Sequence, residues 1–525
     1  MTSARRPPWE RFWPSHVPRS MEYPSVPAWT LVEQMLPRWA HRLAVRELDQ
    51  DTLEEGRVLT YESLFRAARG AAGALRGRRV EPGARVGILL HNSADLIVAF
   101  NAAWYAGAAA VPVNPGASVD EVATQFRDAD VALVIGDATG PGRPVAAQLG
   151  VEFVDGEGFA AMQTAEALVQ PPPTSADDLA VIMYTGGTTG VSKGVALTHR
   201  TIVLNTQQFR EWYAFVPGDE VAIATIPMFH GGGMTGVMNV PLSAGATVLV
   251  FRRFRAAGVA AALGRYGATR LFAVPTVFSA LLNDELGLKT DYSTLRPCRT
   301  NATSLPVAVK ERFDSLVGRP VLVEGYGLTE MTTITHANPI ARAKAGSIGI
   351  PLPDTEARIV DPDTGLDVAT GVSGELIVRG PQMMRGYLNR PRETAEAMLG
   401  GWLRTGDMAV ADDDGYVSIV GRRKDVINTA GFKVWPREVE EALGQHPAVK
   451  MAMVVGISDE YRGEIVKALV LLRDDDRAGT TAADLTAFCR ERLTGFKVLR
   501  EIEIRDALPM SDVGKMLRRV AREQR

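Results

Sequence analysis

The sequence predicts an α/β protein with more than one domain. A large N-terminal domain of helix-covered sheets carries a small β-rich subdomain, and a small α+β unit follows it. Three observations carry this expectation. The chain has 525 residues, too many for a single hydrophobic core. Up to Gly346, short apolar runs such as "RVGILL" and "ALVIG" alternate with longer helical patterns such as "YESLFRAARGAAGALRG". That rhythm belongs to largely parallel sheets covered by helices. Beyond Gly346 the texture changes to short strands split by turn residues, "ARIVD", "GELIVRG" and "GYVSIVG".

The elements follow in order. Residues 1–30 are rich in proline and aromatics and lack the continuous apolar stretch of a signal peptide, so they predict an extended arm on the main domain. "LIVAFNAAWYAGAAAVPV", Leu96 to Val113, is the most membrane-like segment. Asn101, Gly107 and Pro112 interrupt it and it is short for a span, so a buried helix followed by a buried strand is expected. Past Gly421, "PREVEEALGQHP" is a helix with Pro436 near its start. "VKMAMVVGI" and "EIVKALVLL" are strands, and "TAADLTAFCRERL" is a helix. No internal repeat or low-complexity tract stands out.

With 46% hydrophobic and 23% charged residues, the composition is that of an ordinary globular protein, and a net charge of -3 points to no nucleic-acid partner. Cys298 and Cys489 lie far apart with no CxxC spacing. They predict neither a disulfide framework nor a cysteine zinc site, and the reducing cytoplasm is the expected compartment. Seven histidines with no HxxxH pair argue against a histidine metal site.

"YTGGTTGVSKGV", Tyr184 to Val195, holds four glycines, three threonines, a serine and a lysine. It cannot build a core. Glycines let backbone N–H groups approach an anion, hydroxyls add donors and the lysine adds charge. A Walker A loop requires GxxxxGK[ST], which fails here because Lys193 precedes Gly194. A mobile surface loop and a different phosphate loop both remain open on this segment alone.

Further segments settle the choice. "PMFH" at 227–230 and "EGYGLTE" at 324–330 come first. "GELIVRGPQMMRGYLNRP" starts at Gly374 and "GWLRTGD" ends at Asp407. "GRRKDVINTAGFKVWPREVE" starts at Gly421, and "LPMSDVGKMLRR" contains Lys515. In this order they resemble the adenylate-forming superfamily of acyl-CoA synthetases, adenylation domains and luciferases, over nearly the whole chain. "MEYPSVPAWTLVEQML" and "GSIGIPLPDTEARIVDPDTG" are similar to the fatty-acyl-CoA ligase branch.

The resemblance implies two helix-covered sheets in an N-terminal ATP- and acyl-binding domain, residues 1–421, and a mobile C-terminal domain, residues 422–525, turning about Lys424. It implies that a carboxylic acid is joined to the α-phosphate of ATP with loss of pyrophosphate, and that the thiol of CoA then takes the acyl group. Thr185, Gly186, Gly187, Thr188, Thr189, Gly190 and Lys193 would wrap the β- and γ-phosphates. Thr329 would touch the α-phosphate, Glu330 would hold Mg²⁺, and Tyr326, within Glu324–Gly325–Tyr326, would stack on adenine. Asp407 would accept from the ribose hydroxyls with Arg422 assisting. Lys515 would bridge carboxylate and α-phosphate, and Gly431 would keep the pantetheine tunnel clear. His230 would stand at the acyl pocket, although a packed histidine is the alternative. Arg422, Arg423, Lys433 and Arg437 form a basic group that could meet the CoA phosphates.

Some positions depart from the family pattern. Gly186 lacks a hydroxyl common in relatives, Ser192 stands where proline is usual, and Asn301 and Ser304 make one wall bulkier or more polar. "FHGGGM" has three glycines where bulkier residues are common, which predicts a wide or mobile tunnel. A medium- or long-chain fatty acid is the expected substrate, with an alicyclic or aryl acid as the alternative. A fatty acyl-AMP ligase serving a carrier protein is a further reading, but the extra insertion such enzymes carry is not evident. No transmembrane segment is expected. Peripheral membrane contact and a homodimer stay open.

Overall fold

The structure is a computed structural model that describes residues 7–185, 192–301, 303, 305–430, 432–459, 461–473, 479–510 and 516–523. Counted over these residues, the strands form four sheets. The largest has nine strands. From one edge they run Ile350–Pro351, His336–Ala337, Leu322–Tyr326, Cys298–Thr300, Arg270–Ala273, Val221–Ala224, Thr247–Phe251, Leu43–Leu48 and Glu55–Thr60. Its six central strands are parallel and both edges are antiparallel. The second sheet has seven strands, in the order Gly386–Tyr387, Lys193–Thr198, Leu179–Thr185, Ala109–Pro112, Arg85–Leu89, Leu133–Gly136 and Glu152–Val154.

Alternation along the strands explains the layering. In Thr247–Phe251, Val248 and Val250 join one core, while Leu249 and Phe251 join another on the opposite face. In Arg85–Leu89, Ile88 and Leu89 divide in the same way. The core shared by the two large sheets also takes in the helices Ala94–Tyr105 and His199–Trp212. Ala94–Tyr105 is the membrane-like segment. It is apolar all round, so it is buried on every side rather than on one stripe, and the strand Ala109–Pro112 follows it. No helix among the described residues is long and apolar enough to cross a membrane.

Capping residues set where helices begin. Thr60 and Ser63 form a reciprocal capping box, while the side chains of Ser93, Thr198 and Asp155 each accept from a backbone N–H in the first turn. The arm lies on the main domain as expected. Trp13 meets Trp212 edge-on with ring centroids 5.4 Å apart, and Phe12 meets Tyr416 at 5.4 Å. Tyr23 donates to Asp354 at 2.8 Å and the Ala28 N–H donates to His199 Nδ1 at 3.1 Å.

The β-rich subdomain is an antiparallel sheet of Glu356–Val360, Gly374–Arg379, Trp402–Ala411, Val417–Arg422 and Met398–Leu399. The 3-10 turn Arg423–Asp425 follows it. The C-terminal unit then packs the helices Pro436–Gly444 and Ala482–Arg490 on a sheet centred on the hairpin Val449–Asp459 and Gly463–Leu472. Both cysteines are free and buried.

Candidate active site

The strands on either side of the glycine-threonine segment pair antiparallel, Thr185 with Lys193 and Tyr184 with Gly194. Gly186, Gly187, Thr188, Thr189 and Gly190 lie outside the described residues, as do Gly431, Ser304 and Lys515. Ser192 proves useful at the hairpin base: its hydroxyl donates to the Thr185 carbonyl at 2.9 Å, a bond that proline cannot make.

Beside this base stands Tyr387, which the motif reading quoted but gave no role. Its strand pairs with Lys193–Thr198, and Lys193 Nζ lies 4.9 Å from the centre of its ring. Its hydroxyl donates to Glu330 Oε1 at 2.8 Å. Tyr387 thus joins Lys193 to Glu330. Burial, and then Glu330, push its own pKa far up, so it remains a donor. The signal available in the sequence was an aromatic in a turn-rich motif; the contact spans 57 residues.

Glu330 and Thr329 lie in the 3-10 turn Thr329–Met331. The loop after Tyr326 closes on itself, since the Thr335 N–H donates to the Tyr326 carbonyl at 2.9 Å. Inside it, Thr332 has φ +62°, an unusual backbone for a β-branched residue. Strain of this kind costs about 1–3 kcal/mol and concentrates at functional sites. It is held by a bond from Thr332 Oγ1 to the buried Gln382 carbonyl at 2.8 Å.

A second group forms nearby. The Tyr326 hydroxyl donates to Asp407 Oδ2 at 2.6 Å, and Arg422 Nε lies 3.2 Å from Oδ1. Asp407 and Arg422 are direct neighbours on adjacent strands. Asp407 is the first cause of the raised pKa of Arg422. Burial, and then Asp407, raise that of Tyr326. Glu324 is buried behind this group, and burial pushes its carboxyl up to about 7. Next to it, Gly325 faces the interior: a Cβ there would stand 2.7 Å from Arg299 Nε.

His230 precedes a continuous helical run, Gly231–Gly233, a π segment Met234–Asn239, and Val240–Ser243. Such π segments are frequent at functional sites. The His230 ring lies 4.7 Å from that of Phe229. The three glycines are not equivalent. A Cβ at Gly233 would fall 2.0 Å from the Pro227 carbonyl oxygen, so that glycine serves packing. At Gly231 it would meet the Thr332 carbonyl at 3.0 Å, whereas at Gly232 it would meet only Asn301 Nδ2, at 3.3 Å.

The members of the basic group differ in how they are held. Arg422 is held by Asp407, Arg423 by Asp363 at 2.9 Å and Arg437 by Glu441 at 2.7 Å, and Arg437 is buried. In this arrangement Arg437 is tied up in packing rather than offered to a phosphate. Lys424, in the turn after the subdomain, is exposed, and its pKa is lowered first by desolvation.

Residues 33–388 match the family model described as AMP-binding enzyme, and residues 438–515 match its C-terminal domain. The chain belongs to the AMP-binding enzymes. Within that family it falls in the acyl-CoA synthetase branch of the adenylate-forming superfamily, the acid–thiol ligases. It is 34% identical over 552 residues to a long-chain-fatty-acid–CoA ligase of Bacillus subtilis, with 98% of this chain and 97% of the relative covered. It is also 34% identical over 522 residues to a propanoyl:CoA ligase of Rhodococcus jostii whose acid carries a methyl-dioxo-octahydro-indenyl ring system, with 93% and 98% covered. Among solved AMP-binding enzymes it is similar to the anthranilate CoA ligase AuaEII in complex with anthranoyl-AMP. That match has a TM-score of 0.87 and 26% identity, covering 97% of this chain and 98% of that one.

Proposed function

We propose that this chain is an ATP-dependent acyl-CoA ligase for a medium- or long-chain fatty acid, acting in the cytoplasm. One observation carries the reading. The hairpin base, the Lys193–Tyr387–Glu330 group and the Tyr326–Asp407–Arg422 group occur together in a chain that resembles adenylate-forming enzymes throughout. The acid carboxylate attacks the α-phosphate of ATP and pyrophosphate leaves. The CoA thiol then attacks the acyl carbon and AMP leaves. Both steps move charge on oxygen atoms, which positioned donors stabilise.

Thr185 and Lys193, with the glycines between them, bind the β- and γ-phosphates, and Thr329 meets the α-phosphate. Asp407 accepts from the ribose hydroxyls while Tyr326 and Arg422 keep its carboxylate in place. Lys515 neutralises charge as the adenylate forms. His230 borders the acid. Glu330 suits Mg²⁺, which is commonly held by one or two carboxylates together with substrate phosphates and, when bound, offsets charge on those phosphates. Among the described residues no cluster of three metal-ligating side chains competes for that role. Gly431 leaves space for the pantetheine arm once the C-terminal domain has turned about Lys424.

An alicyclic or aryl acid is the second reading. It is favoured by the likeness to the Rhodococcus jostii ligase and AuaEII, and by the open position at Gly232. A panel of straight-chain, alicyclic and aryl acids assayed for CoA-dependent AMP release separates the two. The fatty-acid reading expects a rise in kcat/KM with chain length. AMP release that needs a carrier protein in place of CoA would reassign the acceptor.

A further inference from the structure

Arg299 lies on the strand Cys298–Thr300, in the middle of the nine-stranded sheet, and is 3% exposed. Its Nε and Nη2 have no hydrogen-bond partner, and among the described residues it forms no ion pair. Its guanidinium lies 5.0 Å from the centre of the Phe209 ring. Gly325, on the neighbouring strand, leaves the room it occupies: a Cβ there would stand 2.7 Å from Arg299 Nε and 3.3 Å from the Tyr213 hydroxyl. That hydroxyl is itself buried without a partner.

An unpaired buried cation is costly, and folded chains normally pair or hydrogen-bond such groups. Three orphaned donor atoms on two buried side chains that meet over one glycine are an arrangement awaiting an acceptor. The pair also neighbours the segment expected at the acid. Gly236, in the helical run that follows His230, faces the Phe209 ring on which Arg299 rests: a Cβ there would stand 3.6 Å from that ring. Burial lowers the pKa of Arg299, and Tyr213 acts against that shift. The tyrosine is pushed up to about 12 and keeps its proton.

We propose that Arg299 and Tyr213 form the far end of the acid-binding pocket and select acids that carry a second acceptor oxygen, a carboxylate or an oxo group, remote from the reacting carboxyl. This rests on the ligase reading and narrows its substrate, straight-chain or cyclic, to acids that carry such an oxygen. A planar guanidinium with free N–H groups fits a carboxylate in two-point fashion, and the phenol adds a third donor. An unadorned alkyl chain would leave all three unsatisfied, so discrimination against it should be large.

The test compares the wild type with Arg299→Met and Tyr213→Phe. Acid-dependent ATP–pyrophosphate exchange is measured with matched straight-chain monocarboxylic, oxo- and α,ω-dicarboxylic acids. Arg299→Met should lose at least 100-fold in kcat/KM on whichever oxygenated acid the wild type prefers, and should gain on the plain acid. Tyr213→Phe should lose about 10-fold on the oxygenated acid alone. The dicarboxylic and oxo arms identify which acceptor is used. Thermal unfolding without substrate gives a readout independent of activity. Arg299→Met should raise Tm, because an apolar group of similar length replaces an unpaired charge. A lower Tm, or an equal loss on every acid, would make Arg299 a structural residue and overturn the proposal. A wild type that prefers the plain acid would overturn it as well. If no acid supports exchange while Arg299→Met still raises Tm, the ligase reading fails and the orphaned cation stands.

Discussion

At the residue scale, a few hydrogen bonds to charged acceptors carry most of the site. Tyr326 donates to Asp407 and Tyr387 to Glu330. Bonds of this kind are worth about 1.5–3 kcal/mol. Tyr326→Phe should therefore raise the KM for ATP about tenfold while leaving the KM for the acid nearly unchanged. Tyr387→Phe should instead weaken the apparent Mg²⁺ dependence by ~10-fold or more, the scale for a group that orients a metal ligand. Parallel loss of both substrates in either variant would count against these roles. Glu324 makes a different prediction. Its carboxyl rises from 4.5 to about 7 through burial. Below pH 4.5 both folded and unfolded chains hold that proton. As pH climbs from 4.5 to 7 the unfolded chain ionises first, so folding stability falls, by about 3 kcal/mol in all. Glu324→Gln should accordingly raise Tm by a few degrees at pH 8 and change it little at pH 4.5. A larger gain at the acidic end would reverse the assignment.

At the element scale, the helical run after His230 separates what a sequence can reveal from what it cannot. Three adjacent glycines read alike in "FHGGGM", yet a Cβ would fall 2.0 Å from a backbone oxygen at Gly233 and 3.0 Å from one at Gly231, and would meet only a side chain at Gly232. Close approach is a property of two segments, and the sequence shows one at a time. Gly233→Ala should destabilise the protein by about 3 kcal/mol, as overpacking does. Gly232→Leu should fold, yet lower kcat/KM for long acids by ~100-fold and spare butyrate, since each buried methylene is worth ~0.8 kcal/mol. Equal stability loss in both variants, followed by differential scanning calorimetry, would remove the distinction. The strands, by contrast, were legible: "RVGILL" and "ALVIG" became parallel strands, because buried parallel strands are continuous apolar runs, and "GELIVRG" became a strand of the antiparallel subdomain. The site was legible where its residues share a motif. Tyr387 and Arg299 escaped because their meaning lies in partners far along the chain, Glu330 for one and Phe209 with Gly325 for the other.

At the scale of the whole molecule, described groups of the C-terminal domain that touch the rest of the chain include Arg437 and Trp435. Arg437 donates to the Ile419 carbonyl at 2.5 Å and to the Gly346 carbonyl at 3.3 Å, and Trp435 lies across Gly421, where a Cβ would come within 3.0 Å of its ring. Interfaces of this kind accommodate rotation. Lys424 lies in the short turn that follows the subdomain. Proline fixes φ, so Lys424→Pro should hold one orientation, preserving adenylation while thioester formation drops sharply. The central claim is that one chain performs two half-reactions with different faces of its C-terminal domain. Measuring the half-reactions separately in Lys515→Ala tests it most directly. Acid-dependent ATP–pyrophosphate exchange should fall by ~10²–10³-fold, the scale for loss of one preorganised donor. Transfer to CoA from a supplied acyl-adenylate should persist near the wild-type rate. Exchange at the wild-type rate, or equal collapse of both half-reactions, would contradict the account.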